Sequence, residues 1–280
     1  MSTRARRSIH DVFAGRRTRG ALAIAATAVV IATGGSGSRP AWAGVAPHRA
    51  AMNREVAVTI TPQLSGHSLP PAFVGLAVED WTLTKNQFAH TNFGRYMRAI
   101  GPTGLLRIGG NSLDQSFWTS RGERPPSWSQ GTATPASLRA LARALPTGWR
   151  VILGVNLKHF APQRAADEAR QAVRVLGPKL AAIEPGNEPD HYGISEATYL
   201  RHFQRYAQVL QRAVPGVGIV GPDAASGDRP WLGAFARRQQ HAREISTITF
   251  HNYPESACGG HRPTIADLLS VRDERSEQVA

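Results

Sequence analysis

The residues best suited to chemistry lie together in Ile183-Glu184-Pro185-Gly186-Asn187-Glu188-Pro189-Asp190, directly after the apolar run Leu180-Ala-Ala-Ile183. A glutamate placed like Glu188 serves as a general acid when burial raises its pKa, and it can then protonate a departing oxygen. The asparagine before it can hold a neighbouring hydroxyl. On a glycoside the two groups serve one sugar: the acid protonates the glycosidic oxygen, and the amide meets the 2-hydroxyl in a bond that strengthens in an oxocarbenium-like transition state. An Asn-Glu-Pro triplet arises by chance in about 3% of chains this long, so its place in the fold must carry the weight.

Six apolar or β-branched runs could position these groups: Phe73–Val78, Leu105–Ile108, Val151–Val155, Leu180–Ile183, Val217–Val220 and Ile245–Phe250. Between them lie segments with helical spacing. Pro135–Ala144 is entered through Thr134 as N-cap, Pro162–Leu176 opens on proline, and Ser195–Ala213 carries Tyr199, Phe203, Tyr206 and Leu210 at core spacing. This alternation predicts a parallel α/β sheet, either doubly wound or closed into a (β/α)8 barrel. No G-x-G-x-x-G follows the first run and no G-x-x-x-x-G-K-[ST] occurs, so the phosphate-binding versions lack their glycines. Each run ends in polar groups: Glu79 and Asp80, Asn111, Asn156, Asn187 and Glu188, Asp223, and His251-Asn252-Tyr253. Functional side chains of a barrel sit at that end of its strands, which favours the barrel. Asn156 and Asp223 read more simply as a loop residue or helix cap.

With these pieces in order, the sequence resembles the retaining (β/α)8-barrel glycosidases, and most of all the heparanase and β-glucuronidase family, glycoside hydrolase family 79. The matching segments are Phe73-Val-Gly-Leu-Ala-Val-Glu79, Leu106-Arg-Ile-Gly-Gly-Asn-Ser112, Glu184–Asp190, Gly221-Pro222 and His251-Asn-Tyr-Pro254, with Cys258 shortly after. The resemblance implies Glu188 as acid/base and Asn187 as the residue that orients the substrate. It implies that Arg107 keeps a nucleophilic carboxylate ionised and that Tyr253 hydrogen-bonds that carboxylate. Glu79, Asn111 and His251 fall where sugar hydroxyls would be recognised. The simpler alternatives are a structural ion pair for Arg107, a packing role for Tyr253 and turn roles for Glu79 and Asn111. A carbohydrate substrate follows, either a glucuronoside or other acidic glycan or, alternatively, a neutral β-glycoside; a non-catalytic carbohydrate-binding remnant is the further alternative. No cofactor is implied. The ten histidines are dispersed without H-E-x-x-H, so no metal site is expected, and G-x-S-x-G is absent.

The formal charge of +13 would suggest nucleic acid. Its distribution argues otherwise, because residues 1–43 carry +6 through seven arginines and Asp11. The apolar run Ala21–Thr33 and the sequence Ala41-Trp42-Ala43 complete the pattern of a cleavable secretory signal. That run is shorter than the roughly 20 residues of a membrane span, so no stable anchor is expected. Arg16-Arg17 leaves the twin-arginine route open beside the general one. The expected organisation is a signal peptide over 1–43, a strand segment over 44–70 that would join a C-terminal β-sandwich, and a partial barrel over 71–280. The runs begin about 35 residues apart, which puts a seventh near residue 282. Six of eight βα units are therefore expected, without the strand that would bear the nucleophile, and the chain alone is expected to be inactive. The lone Cys258, whose partner in the resembling enzymes follows the nucleophile, accords with that expectation.

Overall fold

A computed structural model describes residues 73–225, 229–240, 242, 245–253 and 262–268, all within the compact unit Leu69–Ala280. The expected leader, the 44–70 segment, Pro254 and Cys258 lie outside the described residues. Six strands, β1 (Gly75–Glu79), β2 (Gly104–Gly109), β5 (Trp149–Val155), β6 (Leu180–Pro185), β7 (Gly218–Ala224) and β8 (Ile245–Phe250), form one sheet in that order. Every neighbouring pair is parallel, and the sheet curls into a half-barrel flanked by helices. All six expected strands are present. A small parallel pair not foreseen from the sequence, β3 (Ser116–Trp118) with β4 (Gly131–Ala133), sits in the long β2–β5 connection. These strands have three residues each, too few to show a period of two.

The helices are α1 (Trp81–Thr84), α2 (Gln87–His90), α3 (Phe93–Ile100), α4 (Pro135–Ala144), α5 (Pro162–Leu176), α6 (Glu196–Ala213), α7 (Arg229–Gln239) and α8 (Ile265–Leu268). Capping fixes their starts. Thr134 accepts the Ser137 N–H while Ser137 accepts the Thr134 N–H, ahead of Pro135, and Ser195 accepts the Thr198 N–H ahead of α6. Along β2, Leu106 and Ile108 are fully buried and share one core with Leu138 and Leu141 of α4, Ala165 and Ala169 of α5, and Tyr199 and Phe203 of α6. Side chains alternate along a strand, so Arg107 between them is sent to the opposite, concave face. Helix packing thus aims the arginine.

Asn156 follows the simpler reading. Its Nδ2 donates to the Ser116 carbonyl at 3.0 Å, and its Oδ1 accepts the His159 N–H at 3.1 Å. Tyr206 of α6 clamps the same loop, donating to the Asn156 carbonyl and accepting the Ala161 N–H, each at 2.8 Å.

Beneath the β1 loop, Asp80 and Glu168 of α5 line a small cavity of about 50 Å³. Asp80 accepts the Ser116 hydroxyl, and burial pushes its pKa up to about 7 against that bond, with the Glu79 charge adding to the rise. Glu168 is 6% exposed and has no hydrogen-bond partner among the described residues. Burial, with the Asp80 and Asp167 charges behind it, drives its pKa well above the usual carboxylate range. A carboxyl whose folded pKa is raised costs nothing below its unfolded value, and its cost grows as pH climbs from there toward the folded value. Glu168→Gln is therefore expected to stabilise the fold by about 1–3 kcal/mol at pH 8 and by clearly less at pH 5. Urea unfolding at the two pH values checks this; a pH-independent effect or a loss at pH 8 would contradict it.

Candidate active site

The site is built around Arg107. Its Nε donates to Glu184 Oε2 at 2.7 Å, and its Nη2 donates to Asn187 Oδ1 at 3.0 Å and to Asp223 Oδ2. The guanidinium thus ties β2 to the ends of β6 and β7. Glu184 and Asp223 are 1% and 2% exposed. Ionised carboxylates at such depth require a cation partner, and removing that partner would leave both uncompensated. Burial still raises the pKa of Glu184, with the Asp223 charge adding to it against the pull of Arg107.

Glycines make the room. A Cβ at Gly109 would lie 2.6 Å from the Arg107 guanidinium, and one at Gly110 would lie 2.4 Å from the Glu79 carboxylate carbon. Gly110 also has φ +75°, which disfavours any other residue there. The pair Gly109-Gly110 lets two charged side chains pack directly on backbone. Glu79 is held there by Ser112, which donates to its Oε2 from the backbone N–H at 2.9 Å and from the hydroxyl at 2.6 Å.

Glu188 stands at the rim, half-buried. Both it (φ +46°) and Asp223 (φ +57°) occupy the left-handed region, where a residue with a Cβ stores roughly 1–2 kcal/mol of strain. The two are joined, since the Glu188 N–H donates to the Asp223 carbonyl at 2.9 Å. His251, at the end of β8, lies between their side chains, its Nδ1 at 2.6 Å from Glu188 Oε1 and its Nε2 at 3.1 Å from Asp223 Oδ1. Burial alone would lower the His251 pKa. The hydrogen bond and charge of Asp223, then the bond to Glu188, overcome it and push the pKa up to about 9. The ring is accordingly an imidazolium at neutral pH with both N–H groups directed at carboxylates.

Of the residues expected in the site, Arg107, Asn111, Asn187, Glu188 and His251 are brought together. Asn187 is 1% exposed, and its Nδ2 donates to Asn111 Oδ1 at 3.0 Å, so its amide bridges Arg107 to the rim. Its backbone N–H donates to the Tyr192 hydroxyl, which donates in turn to Asp114. Tyr253 is 61% exposed and meets the His251 ring edge-on at 5.8 Å between centroids. Glu79 lies on the same rim, bound to Ser112 and not to the Arg107 network. Reading Asp223 as a loop residue or cap is corrected: it is a buried ligand of both Arg107 and His251. Glu184, to which the sequence reading gave no role, is the second carboxylate on Arg107; an acid inside a buried strand, with an arginine inside another, was the available signal. Asp114, Lys158 and Tyr192 were also missed, and with Asn111, Asn187 and Glu188 they border a cavity of about 160 Å³. Nothing in their local sequence distinguishes them from loop polar residues. Among the described residues no group of three or more His, Cys, Asp or Glu is placed to hold a metal ion.

Comparison with solved structures returns several matches. A 4-O-α-L-rhamnosyl-β-D-glucuronidase from Fusarium oxysporum 12S matches with a TM-score of 0.52 at 17% identity, over 67% of this chain and 46% of that one. A monomeric β-xylosidase from Caulobacter crescentus CB15 (TM-score 0.46, 14% identity, 66% and 42% of the two chains) also matches. So does a family 51 α-L-arabinofuranosidase from Bifidobacterium longum (TM-score 0.47, 18% identity, 66% and 44%). The fold is a partial (β/α)8 barrel. The first of these similarities supports that fold and nothing finer, and the chain spans less than half the length of each of these structures. No protein-family model and no curated protein matches the chain.

Asp223→Asn removes the charge that most raises the His251 pKa. It is expected to lower that pKa below about 9 in the full chain, followed by NMR titration of the imidazole. An unchanged titration would contradict the bridging geometry.

Proposed function

We propose that this chain is an exported glycoside hydrolase of β-glucuronidase-like specificity in which Glu188 is the acid/base. The observation that carries this reading is the placement of Glu188: at the end of β6, on a rim cavity, with one carboxylate oxygen 2.6 Å from His251 Nδ1. General acid–base work needs a carboxylate that can exchange a proton, and the hydrogen bond to His251 gives Glu188 a partner for that exchange. Asn187, locked by Arg107 and Asn111, holds its amide at the cavity wall, where a 2-hydroxyl would meet it. Export rests on the composition of residues 1–43.

A retaining reaction also needs a second carboxylate about 5–5.5 Å from the first. Among the described residues Glu184 and Asp223 are buried on Arg107, Glu79 is held by Ser112, and Asp114, which borders the Glu188 cavity, is bound by Tyr192 and Lys158. The proposed role of Arg107 and Tyr253 is toward a nucleophile other than these four.

Binding can be tested without turnover. The full chain is expected to bind phenyl 1-thio-β-D-glucuronide in preference to the corresponding glucoside and xyloside, with Asn187→Ala weakening binding at least tenfold, as read by calorimetry. Stronger binding of the neutral sugars would overturn the glucuronidase specificity. Hydrolysis of aryl β-glucuronide that survives Glu188→Ala would overturn the acid/base assignment.

A further inference from the structure

A second cavity of about 220 Å³ opens beside the one that holds Glu188. Asn111 and Gln115 border both cavities, so a molecule seated at Glu188 can continue into the second one along the protein surface. The second cavity is bounded by Glu79, Trp81, Lys85 and Gln130 as well. Its chemistry differs from that of the first. Trp81 is 49% exposed and offers an indole surface at the cavity wall. Lys85 lies one helical turn on, its Nζ 4.7 Å from the centre of the Trp81 ring, and it makes no ion pair among the described residues.

The arrangement is held from below. The Trp81 N–H donates to Ser112 Oγ at 3.1 Å, and that hydroxyl donates to Glu79 Oε2 at 2.6 Å. The Lys85 N–H donates to the Trp81 carbonyl at 2.9 Å. The backbone that carries the platform and the cation is therefore tied to Glu79 by bonds at the ends of β1 and β2. Ligand pockets typically pair an apolar or aromatic wall with a few convergent polar groups. A pyranose ring matches an indole with its C–H face and a polar border with its hydroxyls, while the Lys85 ammonium, which lies over the Trp81 ring and makes no ion pair among the described residues, selects an anionic substituent.

We propose that this cavity is a subsite for a uronic acid unit of an oligosaccharide, with the ring stacked on Trp81 and its carboxylate paired with Lys85, next to the unit whose bond is cleaved at Glu188. The proposal rests on the glycosidase reading for its place in the substrate, and its test needs no turnover. The probes are β-1,4-linked tetramannuronate, whose consecutive units are all uronic acids, and β-1,4-mannotetraose, which is neutral, each titrated calorimetrically into the full chain at low salt. Tetramannuronate is expected to bind at least fivefold tighter. Trp81→Ala should weaken both at least tenfold, and Lys85→Ala should cut the preference at least threefold while Lys85→Arg retains it. Both side chains are exposed, and unchanged thermal midpoints will confirm that the variants fold. Failure of the acidic oligosaccharide to bind, or binding indifferent to Trp81 and Lys85, overturns the subsite. Trp81-dependent binding together with aryl β-glucuronide hydrolysis that survives Glu188→Ala would support the subsite and refute the acid/base assignment alone.

Discussion

The ionic contact between Arg107 and the pair Glu184 and Asp223 is the constraint on which the rest of this site depends. One guanidinium on β2 reaches side chains from β6 and β7 and so fixes the relative position of three strand ends in the half-barrel. Buried charges of this kind contribute little net stability compared with a well-packed apolar alternative, yet breaking them by removing one partner is expensive. The benefit is positional. Asn187 is held on one side, Asp223 on the other, and Glu188 follows from both through its own peptide and through His251.

The backbone conformations make sense in the same terms. Glu188 and Asp223 persist in left-handed conformations because the surroundings determine them: the Glu188 N–H bonds the Asp223 carbonyl, and both side chains end on one imidazolium. Strain held by a network of this kind marks a place where geometry matters more than local stability. Gly109 and Gly110 serve the same end from the opposite direction, by removing side chains that would push Arg107 and Glu79 out of place. The buried acids Asp80 and Glu168 lie just below, where burial rather than ion pairing dominates and protonation replaces pairing.

Much of this was legible in the sequence. The large sheet was, because its four inner strands are largely buried and appear as apolar runs, and the capped helices between them carry a clear helical period. The polar rim was also legible, since a polar residue closes each run at the same end of the half-barrel. The short β3–β4 pair was not, and neither was the partnership of Arg107, Glu184 and Asp223. Residues 107, 184 and 223 are far apart along the chain, and only the curl of the sheet brings them together. Asp223 illustrates the limit well: after Gly221-Pro222 its local pattern is that of a loop or cap, while its burial is a tertiary fact.

The most direct measurement of the central claim is the stability of the full chain with Arg107→Met, alone and combined with Glu184→Gln and Asp223→Asn, by urea unfolding at pH 7. If Arg107 is the counter-charge that holds the site together, the single substitution should cost about 3–5 kcal/mol, and neutralising both acids should restore most of it. A loss below about 1 kcal/mol, or a loss that the two added substitutions deepen, would contradict the account.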